Sequence, residues 1–96
     1  MAENQESREN TVLIGKKPSM AYVMAVVTQF GSGQKEVHIK ARGRAISKCV
    51  DVAEIARNKF IKDAKVKGIE ISTTQIETEK NEKFGVSTIH ITLAKQ

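Results

Sequence analysis

The sequence predicts an α+β two-layer fold in the order β-α-β-α-β-β. Four strands form one mixed sheet, two helices cover one face of it, and the last two strands protrude as a hairpin. Three observations carry this prediction. Four runs alternate apolar and polar residues or are short and apolar, as strands do, while two longer runs space apolar residues three and four apart, as helices do. The helical runs separate the first three strands, and a strand–helix–strand passage within one sheet leaves its strands parallel. Finally, 96 residues with 40% hydrophobic side chains make one compact core, burying about 60–65% of the unfolded surface. Residues 1–10 read as a disordered N-terminal tail and residues 11–96 as the single domain.

Thr11-Val-Leu-Ile14, ended by Gly15, is the first strand. Pro18 suits a first helical turn, where its missing N–H costs nothing. Met20, Val23, Met24, Val27 and Phe30 then form one apolar stripe on a helix that Gly31-Ser-Gly33 stops. Val37, Ile39 and Ala41 alternate with His38 and Lys40 as a second strand. Gly43 opens the next loop. Ile46, Cys49, Val50, Ala53, Ala56 and Phe60 define a second helix, and Val52 and Ile55 exceed the apolar surface one sheet face needs. That surplus, with Arg57 alongside, is expected to serve dimerisation and packing between dimers. Ile69 and Ile71 resume strand alternation to about Thr78, a turn follows, and Val86, Ile89, Ile91 and Leu93 form the last strand. Two strands of about ten residues span roughly 33 Å, whereas a helix of about thirteen covers about 20 Å. The hairpin therefore overruns the body as an arm tipped by Glu79 to Phe84, where Lys80 and Lys83 can reach a nucleic-acid groove.

Charge is concentrated. Residues 1–10 carry −2, residues 11–48 carry +6 and residues 49–96 carry +1. Parallel first and second strands place Lys16 and Lys17 of one loop beside Lys40, Arg42, Gly43 and Arg44 of the other, with Lys48 just beyond. Cations at a helix N-terminus oppose the macrodipole by about 0.3–1 kcal/mol each. With an anion present the same groups converge on phosphate. Gly43 permits a close approach or a positive φ. A purely solubilising basic surface is the plain alternative.

Other chemistries find little footing. The lone Cys49 makes no intrachain disulfide, suits a reducing, cytoplasmic interior and reads as a small core residue. No apolar run approaches a membrane span, and the polar first ten residues are unlike a signal or transit peptide. Gly15-Lys-Lys-Pro18 lacks the spacing and following hydroxyl of a P-loop, so the reading of an enzyme holding a small phosphorylated ligand is weak. His38 and His90, far apart in sequence, are expected on solvated sheet faces, and Glu77, Glu79 and Glu82 flank a turn. No catalytic set, metal site, cofactor or small-molecule substrate is read. Aromatic content of 4% speaks against base-stacking platforms for single strands.

Val12-Leu-Ile-Gly-Lys-Lys-Pro18, Ile39-Lys-Ala-Arg-Gly-Arg-Ala-Ile-Ser-Lys48 and Val50-Asp-Val-Ala-Glu-Ile-Ala-Arg-Asn-Lys-Phe60 resemble the Alba family of small basic archaeal chromatin proteins. The resemblance runs from about residue 11 to 95 and includes Val86-Ser-Thr-Ile-His-Ile91. It implies a fold like the C-terminal domain of translation initiation factor three. It also implies a homodimer that coats and compacts double-stranded DNA without sequence preference, associated with the chromosome, and that binds RNA. Lys16 and Lys17 then correspond to loop lysines on the DNA-facing surface, the first of them acetylated in some members, which removes a cation. Arg42 and Arg44 match loop arginines of that surface, the hairpin matches an arm directed at the minor groove, and Phe60 matches a contact between neighbouring dimers. The arm tip departs in charge, residues 77–84 holding three Glu against two Lys. An RNA chaperone or ribonucleoprotein component is the alternative on the same basic surface.

Overall fold

A computed structural model describes residues 10–95; the expected tail, apart from Asn10, lies outside them. The elements are β1 (Thr11–Leu13), α1 (Ser19–Gly31), β2 (Glu36–Arg42), α2 (Ile46–Ile55), β3 (Ala64–Glu77) and β4 (Lys83–Lys95). The sheet order is β1-β2-β4-β3, with β1 and β2 parallel and the other neighbours antiparallel. The predicted element order and two-layer class hold.

Val37, Ile39 and Ala41 of β2 lie beside Leu93, Ile91 and Ile89 of β4, and all six are buried beneath the helices. Each helix buries a narrower seam than the sequence stripe. Val23, Val26 and Phe30 of α1 are buried, with Val27 partly covered, while Met20 and Met24 are about half exposed. On α2 the buried set is Cys49, Val52 and Ala53, continued by Ala56. Both seams follow the i, i+3, i+4, i+7 rule, and Met24 and Val50 each sit one residue, about 100°, off the seam. Val52 is thus a fully buried core residue and not part of a surplus, whereas Val50 is exposed.

Local chemistry moves several boundaries. Asn10 has positive φ (58°), donates to Gln29 Oε1 at 3.1 Å and accepts from His38 N at 2.7 Å, so it belongs to the domain. Pro18 caps α1 from an extended conformation, one position before the helix starts. A 3₁₀ turn, Gly43–Ala45, precedes α2, and a π-helical turn, Ala56–Phe60, ends it. Ile61 N donates to Ala56 O at 2.7 Å across that wide turn. The extra residue breaks the i, i+4 spacing and leaves Phe60 44% exposed. β3 begins five residues before Ile69, because a bulge between Val66 and Gly68 interrupts the alternation that marks a strand.

The paired β3 and β4 carry the molecule to 46 Å in its longest dimension. Thr78 closes the far turn: its N–H donates to Glu82 O at 2.8 Å, and its Oγ1 accepts from Lys80 N and Glu82 N, each at 3.2 Å. Asn81 there takes φ of 63°.

Candidate nucleic-acid interface

Parallel pairing of β1 with β2 brings their following loops to one end of the sheet. Lys48 joins them: its Nζ donates to Gly15 O at 3.0 Å and Lys17 O at 2.7 Å. Tyr22 secures the same loop from α1, its hydroxyl accepting from Gly15 N at 2.9 Å and Lys17 N at 3.0 Å. The Lys48 ammonium lies 6.0 Å from the centre of the Tyr22 ring. Four main-chain groups of a short loop are therefore held by two side chains. Lys16, Lys17, Arg42 and Arg44 are exposed around this clamp.

Lys48 is thus engaged within the chain, unlike the other expected phosphate contacts. Sequence reasoning missed Tyr22 altogether; a lone tyrosine among apolar helix residues, whose hydroxyl needs a partner, was the available signal. Among the described residues, neither α1 nor the turn and helix after β2 has a side-chain cap or a first-turn acid to neutralise its positive start. Gly43 takes φ of 59°, and a Cβ there would approach Val86 Cγ1 no closer than 3.6 Å. Conformation, not crowding, calls for glycine at this position.

Lys40 is exposed on the sheet face away from the helices, paired with Leu13 and His90. That face forms a groove lined by Leu13, Lys40, Arg42, Ser72, Thr88 and His90. Lys80 and Lys83 are exposed at the arm tip, far along the hairpin from the loops. Of the expected interface residues, Ile55 packs partly against the core. Arg57 holds Glu54 through two bonds of 2.7 and 3.2 Å, which pull the Glu54 carboxyl below its ordinary pKa. Phe60 alone presents a large apolar surface. A second exposed apolar row, on β3, carried a strand signal in the sequence but no interface signal. Val66, Ile69 and Ile71 lie beside buried Leu93, Ile91 and Ile89, and Ile69 and Ile71 are 58% and 78% exposed.

Cys49 is buried with its Sγ 3.7 Å from Ile39 O, and burial pushes its thiol pKa up to about 11. The two histidines, far apart in sequence, meet on the sheet face with His38 Nδ1 2.8 Å from His90 Nε2. Burial, then the charges of Lys40 and His38, lower the His90 pKa against the pull of Glu70. Among the described residues no three potential metal-ligating side chains converge, and no helix is long and apolar enough to cross a membrane.

An α+β sandwich with two basic loops, the first clamped by Lys48 and Tyr22, at helix starts without side-chain caps, and a long two-stranded arm, defines a small polyanion-docking domain. The sequence pattern of the Alba family matches residues 10–78, and the chain belongs to that family. The DNA/RNA-binding protein Alba 1 of Archaeoglobus fulgidus is 59% identical over 88 residues, covering 92% of this chain and 98% of the relative. The DNA/RNA-binding protein Alba of Methanocella arvoryzae is 52% identical over 87 residues, or 91% of each chain. Among solved structures, Alba from Thermoplasma volcanium matches with a TM-score of 0.84 at 51% identity, over 90% of this chain and all of that one. ALBA1 from Trypanosoma brucei matches at 0.75 with 26% identity, over 92% of this chain and 70% of that one.

Proposed function

We propose that this protein binds nucleic acid without sequence preference and without catalysis, coating and compacting double-stranded DNA as a homodimer and also binding RNA. One observation carries the reading. Lys16, Lys17, Arg42 and Arg44 lie at one end of the sheet, beside helix N-termini that have no side-chain cap or first-turn acid among the described residues. Such a cluster is unfavourable to the free fold and favourable only with an anion bound, which is why stability alone does not account for it. Phosphate contacts of this kind position the protein and carry no base information. The relatives' names, DNA/RNA-binding protein, agree with both partners.

A twofold dimer doubles the cluster and sets an arm on each side. The bare Val66, Ile69 and Ile71 row supports dimerisation, since a second copy would complete the layer the two helices leave open over β3. Phe60 remains suited to contacts between dimers along DNA. Lys16 makes no ion pair among the described residues and is exposed, so acetylation there would remove one phosphate-binding cation without touching the clamp. A chromosome-associated, cytoplasmic location follows from the DNA-coating role.

The test is the double variant Arg42→Ala with Arg44→Ala, measured against two unrelated duplexes and a structured RNA at fixed salt. Affinity for both duplexes is expected to fall by the same factor. A loss confined to one duplex would contradict the phosphate mechanism, and an RNA affinity far above both duplexes would favour the ribonucleoprotein role.

A further inference from the structure

The chain has two histidines, and the sheet brings both together on the face away from the helices. In the β2–β4 register His38 lies opposite Thr92 and Lys40 opposite His90, which sets the two imidazoles diagonally across adjacent strands. Nδ1 of His38 faces Nε2 of His90 at 2.8 Å, and Thr92 Oγ1 is 3.2 Å from the same His38 nitrogen. A carboxylate lies near each outer nitrogen, that of Glu36 beyond hydrogen-bond reach. His38 Nε2 is 3.9 Å from Glu36 Oε1, and His90 Nδ1 is 3.5 Å from Glu70 Oε1. The two rings are 27% and 29% exposed, within reach of dissolved ions.

We propose that the facing nitrogens of His38 and His90 form an exchangeable site for a divalent transition-metal ion of the zinc, nickel or copper kind, with Glu70 orienting the His90 ring from behind. A metal-bound histidine characteristically donates its other N–H to a carboxylate, which fixes the tautomer and makes the ligating nitrogen more basic. His90 has Glu70 in that place, at 3.5 Å, while Glu36, at 3.9 Å, is too far to accept from His38. The facing nitrogens share one hydrogen bond at 2.8 Å, with donor and acceptor set by the tautomers. A metal ion held by both rings would take the place of that shared proton. Zinc–nitrogen bonds at tetrahedral angles set two ligating nitrogens about 3.3 Å apart, so the pair need open only slightly. Imidazole suits zinc, copper and nickel over harder ions.

The charges around the pair are mixed. β2 contributes Glu36 and Lys40, with Arg42 farther along the strand, and β3 contributes Glu70 and Lys67, the latter paired with Glu36. β1 offers Thr11 and Leu13, and β4 offers Thr88, Thr92 and Ala94, all uncharged. Two protein ligands leave the remaining positions to water, which makes the site exchangeable instead of structural. Among the described residues no third ligand converges with the imidazoles. This site is independent of the nucleic-acid reading.

The experiment is titration of the full chain with zinc chloride, following the imidazole nitrogens by NMR and the stoichiometry by calorimetry. One ion per chain is expected, with His38 Nδ1 and His90 Nε2 both shifting as ligating nitrogens. His38→Gln or His90→Gln abolishes saturable binding, and Glu70→Gln weakens it by roughly tenfold, with circular dichroism confirming the fold of each. The wild-type spectrum decides without any variant. Absence of saturation, a response from one ring only, or binding that leaves both rings unchanged would overturn the site and leave the pair as a shared-proton contact.

Discussion

At the scale of single residues, Lys48 separates structural charge from binding charge. Its ammonium is directed at two loop carbonyls, and charge-assisted bonds of this type contribute about 1.5–3 kcal/mol when well shielded, less at a half-exposed site. Lys48→Met keeps the stem and removes the ammonium, so Tm and affinity should both fall while the salt dependence of binding keeps its slope. Tyr22→Phe acts on the same loop and should give a smaller version of that result. Arg42→Ala should instead make the slope shallower by about one, because it removes a cation that neutralises a single phosphate. Equally shallow slopes in the Lys48 and Arg42 variants would return Lys48 to the phosphate surface. Lys16, Lys17, Arg42 and Arg44 were legible in the sequence because residue type and loop position suffice to place them. The engagement of Lys48 was not, because it depends on which atoms lie across a loop more than thirty residues away in sequence.

At the scale of elements, the passage from β2 into α2 depends on Gly43. An L-residue at its φ of 59° is strained by about 1 kcal/mol, although space for a methyl group exists. Gly43→Ala should therefore lower Tm by about 4–8 °C for a domain of this size, as differential scanning calorimetry can measure. An unchanged Tm with weakened binding would mean that close phosphate approach, and not conformation, requires the glycine. Element order and helix positions were legible because periodicity reports them directly. The start of β3 was not, since the bulge at Val66 to Gly68 erases the alternation. The exposure of Phe60 was hidden by a π-helical turn that ordinary helical spacing does not foresee.

At the scale of the whole molecule, two helices cannot cover four strands, and the shortfall falls on β3. Ile71 is 78% exposed in the single chain, so Ile71→Asp should leave each chain folded while shifting sedimentation from dimer to monomer. A dimer that persists would place the interface elsewhere. Phe60→Ala should retain the dimer and reduce cooperative coating of DNA; unchanged cooperativity would remove Phe60 from the contacts between dimers. The surplus expected on α2 at Val52 and Ile55 did not hold, because helical phase alone made Val52 and Val50 hard to tell apart. The exposed row on β3 was not legible, because the sheet order that leaves β3 at the edge is set by long-range pairing.

The central claim, sequence-independent phosphate binding, is tested most directly by measuring binding constants for two unrelated DNA duplexes across a salt series, with one structured RNA alongside. With Lys16, Lys17, Arg42 and Arg44 of both protomers on phosphates, log K should fall against log salt with a slope of about −7, the same for both duplexes, and steeper if Lys40 or the arm lysines join. A shallow slope, or slopes that differ between the duplexes, would contradict it.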